Sequence, residues 1–213
     1  YRTDDEMASY LREISEQIPI VYMNKILGDQ EEYSYVYTDG FTCNRKAVHY
    51  LFEKGKRKIG YVMNSEDISI IEDRYFGFVQ GIEDCGLTLE DKWVYRVQRE
   101  NEPDYIKLGR DAARYYASLP DHPDAILTAT DMLGIGCVKG FTDRGIKVPD
   151  DISVIGFDNI FVSALIDPPL TTIAQPVRKM GQAAAEILIS QILNKPVQNK
   201  IVFEGKLIVR ETT

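Results

Sequence analysis

The residues best suited to chemistry in this sequence are polar side chains that follow short apolar runs. Residues 19–23 (PIVYM) run into Asn24, 34–38 into Asp39, and 58–63 into Asn64 and Ser65. The same pattern recurs where 124–129 meets Thr130 and Asp131, 152–157 meets Asp158 and Asn159, and 171–174 meets Gln175. Amides, hydroxyls and carboxylates gathered in this way form hydrogen bonds with a hydroxyl- or amine-bearing small molecule. Signatures of bond-making chemistry are absent: the sequence has no GxSxG elbow, no GxxxxGK[ST] loop and no HExxH. GIGCVKG at 134–140 sits inside a helical pattern rather than after a strand, so it lacks the geometry of a phosphate cradle. His49 and His122 are far apart, without zinc-like spacing. The residues therefore predict a binding protein rather than an enzyme, without a cofactor or metal.

Each candidate has a structural alternative. Asp131 precedes a helical pattern and is suited to capping it. Asp39 is placed to satisfy turn amides, and Asn64 and Ser65 fit a plain loop. Arg74 lies beside Glu72 and Asp73 in a helical stretch, where a solvated ion pair is the alternative to a ligand contact. Asp158 is more telling. It is flanked by the apolar segments ISVIGF and FVSALI, and a carboxylate near the centre of a sheet needs a partner.

The elements that must position these residues alternate. Strand-length runs rich in Val, Ile and Tyr fall at 19–23, 34–38, 58–63, 93–97, 124–129, 152–157, 171–174 and 201–209. Amphipathic helices are expected near 4–17, 41–54, 71–84, 105–118, 132–143 and 177–193. Thr3-x-x-Glu6 reads as a capping box for the first, and Gly55, Gly86 and Gly145 as stops for three others. This alternation predicts an α/β fold with mainly parallel sheets covered by helices. The chain opens on a helix, which suggests that a preceding part of the domain is missing.

Composition narrows the function. The chain has 213 residues, 44% hydrophobic and 27% charged, within the ordinary range for globular proteins. Its formal net charge is −8. Binding a phosphate backbone needs clustered cations, and the one dense basic run (Lys54, Lys56, Arg57, Lys58) falls at a helix-to-strand turn. This chain alone is not expected to bind DNA. Cys43, Cys85 and Cys137 are odd in number and lack CxxC spacing, which predicts free thiols and a reducing cytoplasm. No signal-peptide pattern or membrane-length apolar run is present in the sequence.

Residues 148–176 are more specific. VPDDISVIGFDNI followed by DPPLTTIAQP resembles the effector-binding core of LacI/GalR transcriptional regulators. IPIVYMN, YVYTDG, LFEKGKRKIGYVMN, DRYFGFVQGIEDCGL, PDAILTATDMLGIG and LIVRETT resemble other parts of that core in the same order. The resemblance implies a type I periplasmic-binding-protein-like fold of two Rossmann-like parallel-sheet subdomains, one of them incomplete. It divides the chain into 1–38 with 171–198, and 39–170 with 199–213, hinged at Asp39 and Gln175. It implies a small effector, preferably a sugar, in the inter-subdomain cleft, contacted by Asn64, Ser65, Arg74, Tyr105, Thr130, Asp131 and Asp158. Ile68 and Ile70 depart from the polar residues often found in the first of these loops. A homodimer is implied through Leu133, Ile135, Phe161 and Leu165, with operator DNA reached only through a headpiece outside this chain. A periplasmic-type sugar-binding protein is the rival reading of the same fold.

Overall fold

The computed structural model describes residues 4–24, 33–63, 69–97 and 104–213. The Thr3–Glu6 capping box lies outside the described residues. The chain divides into two compact units.

The smaller unit comprises Tyr1–Asp39 and Pro176–Glu204. It contains α1 (Asp4–Ser15), β1 (Val21–Met23), β2 (Ser34–Thr38), α6 (Val177–Ile192) and β8 (Lys200–Phe203). The three strands form a parallel sheet in the order β1-β2-β8. Its core joins Val36 of β2 to Met180, Ala183 and Ile187, which recur at helical spacing along α6.

The larger unit comprises Gly40–Gln175 and Gly205–Thr213. Its helices are α2 (Gly40–Glu53), α3 (Ser69–Asp84), α4 (Tyr105–Ser118) and α5 (Asp131–Thr142). Its strands are β3 (Ile59–Met63), β4 (Val94–Arg96), β5 (Ala125–Thr128), β6 (Ser153–Asp158), β7 (Thr171–Ala174) and β9 (Lys206–Ile208). They form one sheet in the order β4-β3-β5-β6-β7-β9, parallel except for the β7–β9 pair. Central strands β5 and β6 are buried almost throughout, so they read as continuous apolar runs rather than alternating ones. Asp104 starts α4 by accepting hydrogen bonds from the Ile106 and Lys107 amides, both at 3.1 Å. Two of the three glycines of helix α5, Gly136 and Gly140, lie against α4, which packs closely on it: a Cβ at Gly136 would overlap the Ile106 carbonyl.

Two expectations are corrected here. The strand expected over 201–209 is two strands in two sheets: β8 pairs with β2, and β9 pairs with β7 after the chain passes Glu204–Gly205. Strand 171–174, expected in the smaller subdomain, instead extends the larger sheet, because β7 pairs in parallel with β6 from Ile155↔Thr171 to Asp158↔Ala174. Both differences follow from strand pairing, which joins residues distant in sequence.

Among the described residues, no helix is long and apolar enough to cross a membrane. All three cysteines are free thiols: Cys43 and Cys137 are buried and Cys85 is half-buried.

Candidate functional site

In the larger sheet, the order of succession reverses between β3 and β5, since β3 leads outward to β4 while β5 leads through β6 to β7. Open α/β sheets bind ligands beyond the carboxyl ends of strands at such a reversal. Arg74 and Asp158 lie at this end of the unit.

Arg74 is buried on α3, with only 6% of its surface exposed. Its guanidinium lies over the Phe157 ring, 3.6 Å from the centroid, and Nη1 donates to the Ala129 carbonyl at 2.6 Å. Nη2 is 3.8 Å from Asp158 Oδ1. Behind it, Asn44 Nδ2 donates to the Arg74 carbonyl at 2.8 Å and fixes that turn of α3 against α2. The Nε of Arg74 is buried and has no hydrogen-bond partner among the described residues. A buried N–H left unpaired costs about 1–3 kcal/mol, so this donor favours any acceptor that reaches it.

Asp158 ends β6 with φ +121°, a strained value for a residue with a side chain. Oδ1 accepts a hydrogen bond from Gln175 Nε2 at 2.7 Å, whereas Oδ2 accepts none among the described residues. Burial pushes its carboxyl up to about 6, against the opposing pull of Arg74 and the Gln175 hydrogen bond; Asp131 adds to the rise. Burial likewise pulls Arg74 below the ordinary arginine value, and Asp158 partly restores it. The pair thus offers an unfilled acceptor and an unfilled donor, suited to hydroxyl groups.

Asp131 has a different role. Thr130, not Asp131, caps α5: its Oγ1 accepts from the Leu133 amide at 3.4 Å. Asp131 is fully buried as the first helical residue. Its Oδ2 accepts the Ile160 amide at 2.8 Å, and its Oδ1 accepts the Thr172 hydroxyl. Both oxygens are therefore committed to holding the loop after β6 against β7. Gly156 makes room for this arrangement, since a Cβ there would overlap Asp131 Oδ1. The loop is also tied by Arg210, whose guanidinium donates to the Leu170 carbonyl and Asn159 Oδ1, both at 2.6 Å.

The other expected residues fall in separate places. Thr130 is half-buried at the α5 cap, and Tyr105 opens α4 half-buried against the larger core. Asn64 and Ser65 lie outside the described residues. Asp39 is the last residue of the first segment of the smaller unit, and Gln175 the last before the chain returns to it. Leu133 and Ile135, expected on a dimer face, are 0% and 7% exposed and belong to the core, because α5 is enclosed on almost every side. Phe161, which opens a short 3₁₀ turn (Phe161–Ala164), and Leu165, which caps it, are 79% and 64% exposed. Sequence reasoning missed Asn44, Phe157, Thr172 and Arg210. Phe157, Thr172 and Arg210 lie within the family-like segments VPDDISVIGFDNI, DPPLTTIAQP and LIVRETT, whereas nothing local marks Asn44. Among the described residues, no group of three or more His, Cys, Asp or Glu side chains is placed to hold a metal ion.

A model of the periplasmic binding protein-like domain matches residues 48–213. The HTH-type transcriptional repressor CytR of Escherichia coli (strain K12) is 32% identical over 197 residues, 92% of this chain and 56% of the repressor. The chain thus spans little more than half the length of that relative. A putative transcriptional regulator LacI from Bacillus cereus subsp. cytotoxis NVH 391-98 superposes with a TM-score of 0.87 at 25% identity, covering 100% of this chain and 73% of that one. The structure of the transcriptional regulator CelR in complex with cellobiose superposes with a TM-score of 0.81 at 28% identity, covering 91% and 58%.

Proposed function

This chain belongs to the periplasmic binding protein-like domain family, and on that premise we propose that it is the effector-binding core of a LacI-type transcriptional regulator. The effector is a small polyhydroxyl molecule, a sugar, and it docks at the strand ends of the larger unit. Arg74 donates through Nε, and Asp158 accepts through Oδ2. The observation that carries this reading is a pair of open groups at the reversal of the sheet: among the described residues, neither the buried Nε of Arg74 nor Oδ2 of Asp158 has a hydrogen-bond partner, and the two side chains approach to 3.8 Å between Nη2 and Oδ1. Asp131 is a structural strut rather than a contact, and Thr130 and Tyr105 are secondary candidates. The cellobiose in the CelR complex supports a sugar as the class. The relatives being repressors, not transporters or enzymes, supports regulation without turnover.

DNA enters through a headpiece outside this sequence, consistent with the net charge of −8. The effector changes operator affinity only as far as it binds two arrangements of the protein unequally. Asp39 and Gln175, where the chain passes between units, are the hinge candidates. Phe161 and Leu165 supply the exposed apolar surface for a homodimer.

A thermal-shift screen of mono- and disaccharides, with cellobiose among them, tests the reading. A sugar at about 100 times its Kd adds about 2.7 kcal/mol of stability. Stabilisation that vanishes in Arg74→Met is the expected result. Stabilisation that survives it places the sugar elsewhere.

A further inference from the structure

A second constellation lies on the larger unit, on the paired helices α2 and α3. His49 of α2 stands between two neighbours: Nε2 is 3.2 Å from Asp84 Oδ2, and Nδ1 is 3.7 Å from Cys85 Sγ. Asp84 also accepts from Arg45 Nε and, at 3.1 Å, from Gln80 Nε2. The hydrogen bonds from Arg45, Gln80 and His49 hold its carboxyl down to about 2. It is therefore an acceptor throughout the physiological range, and His49 must turn an N–H towards it from Nε2. In the neutral ring this leaves Nδ1 as a lone-pair acceptor facing the Cys85 thiol.

We propose that Cys85 is a reactive thiol that exchanges with low-molecular-weight disulfides, using His49 as its proton acceptor. The thiol proton passes to His49 Nδ1, and the sulfur attacks one sulfur of the small disulfide. A mixed disulfide forms, the original S–S bond breaks, and the departing thiolate takes the proton from the imidazole. Cys85 is oxidised as half of the small disulfide is reduced.

The surroundings make His49 decisive. Burial and the Asp84 carboxylate push the Cys85 thiol up, as does Glu53, with Arg57 opposing them. Without a nearby base, the thiolate would be scarce at neutral pH. Cys43 and Cys137 lack this access: both are buried, and Cys137 is fully enclosed. The structure thus separates one addressable thiol from two protected ones.

Incubating the folded protein with 2-hydroxyethyl disulfide at pH 7, followed by peptide mass mapping, tests the proposal. The expected product is a mixed disulfide at Cys85, with Cys43 and Cys137 left free. Its formation should be faster than at Cys85 of the urea-unfolded chain. His49→Ala should slow it about tenfold at pH 7, with reactivity recovered only at alkaline pH. A rate no faster than in the unfolded chain overturns the proposal, as does an equal rate in folded His49→Ala. The unfolded-chain comparison needs no variant, so misfolding of the substitution does not rescue the idea.

Discussion

Two aspartates mark neighbouring strand ends of the same sheet, and the structure gives them opposite tasks. Asp131 follows β5 and is fully buried, with each oxygen occupied by a donor from the chain. Asp158 ends β6, its side chain 28% exposed, with one oxygen occupied and the other without a hydrogen bond among the described residues. Burial raises the pKa of both carboxyls, so that shift does not distinguish strut from binding group. The supply of partners does. A carboxylate whose hydrogen bonds close within the fold contributes to stability, and one left open contributes to recognition.

The comparison can be broken in several ways. The largest effect is expected at Asp131: Asp131→Ala strands the Ile160 amide and the Thr172 hydroxyl and should cost about 3 kcal/mol of stability in urea unfolding. A loss no greater than that of Asp158→Ala would erase the distinction. Gly156→Ala pushes a methyl group into Asp131 and to 2.8 Å from Leu170 Cδ2, and should cost about 2 kcal/mol by the same measurement.

The titration of Asp158 gives the next effect. The folded-state carboxyl holds its proton up to about pH 6, while an unfolded aspartate releases it near about 3.9. Ionisation therefore favours the unfolded chain. The group's contribution is intact below about pH 4 and lost as the pH rises through about 6, by about 2 kcal/mol after allowance for its partial exposure. Asp158→Asn should flatten that part of the stability–pH curve; an unchanged slope would show that Asp158 is not the group titrating. The smallest change in stability belongs to the exposed 3₁₀ turn. Phe161→Ser with Leu165→Ser should alter monomer stability by less than about 0.5 kcal/mol, yet shift sedimentation from dimer to monomer.

Much of this was legible in the sequence. The helix at 105–118 and the strands at 34–38 and 171–174 coincide with α4, β2 and β7, because apolar periodicity and the Asp104 cap are local signals. GIGCVKG does lie within α5. What escaped was non-local. IVFEGKLIV reads as one strand until its halves pair with β2 and β7 in different sheets. Leu133 and Ile135 look available for a partner until α4 and the sheet enclose α5. Thr130 and Asp131 are both competent caps, and only the arrival of Ile160 and Thr172 at Asp131 settles which one turns inward.

The most direct test is a calorimetric titration at pH 7.5 of the sugar that best stabilises the protein, into wild type, Asp158→Asn and the Phe161→Ser control. If the open carboxylate is the binding group, Asp158→Asn weakens affinity about 30-fold, the roughly 2 kcal/mol of a hydrogen bond to a charged group, while the control binds as wild type. Equal affinity in wild type and Asp158→Asn would contradict it.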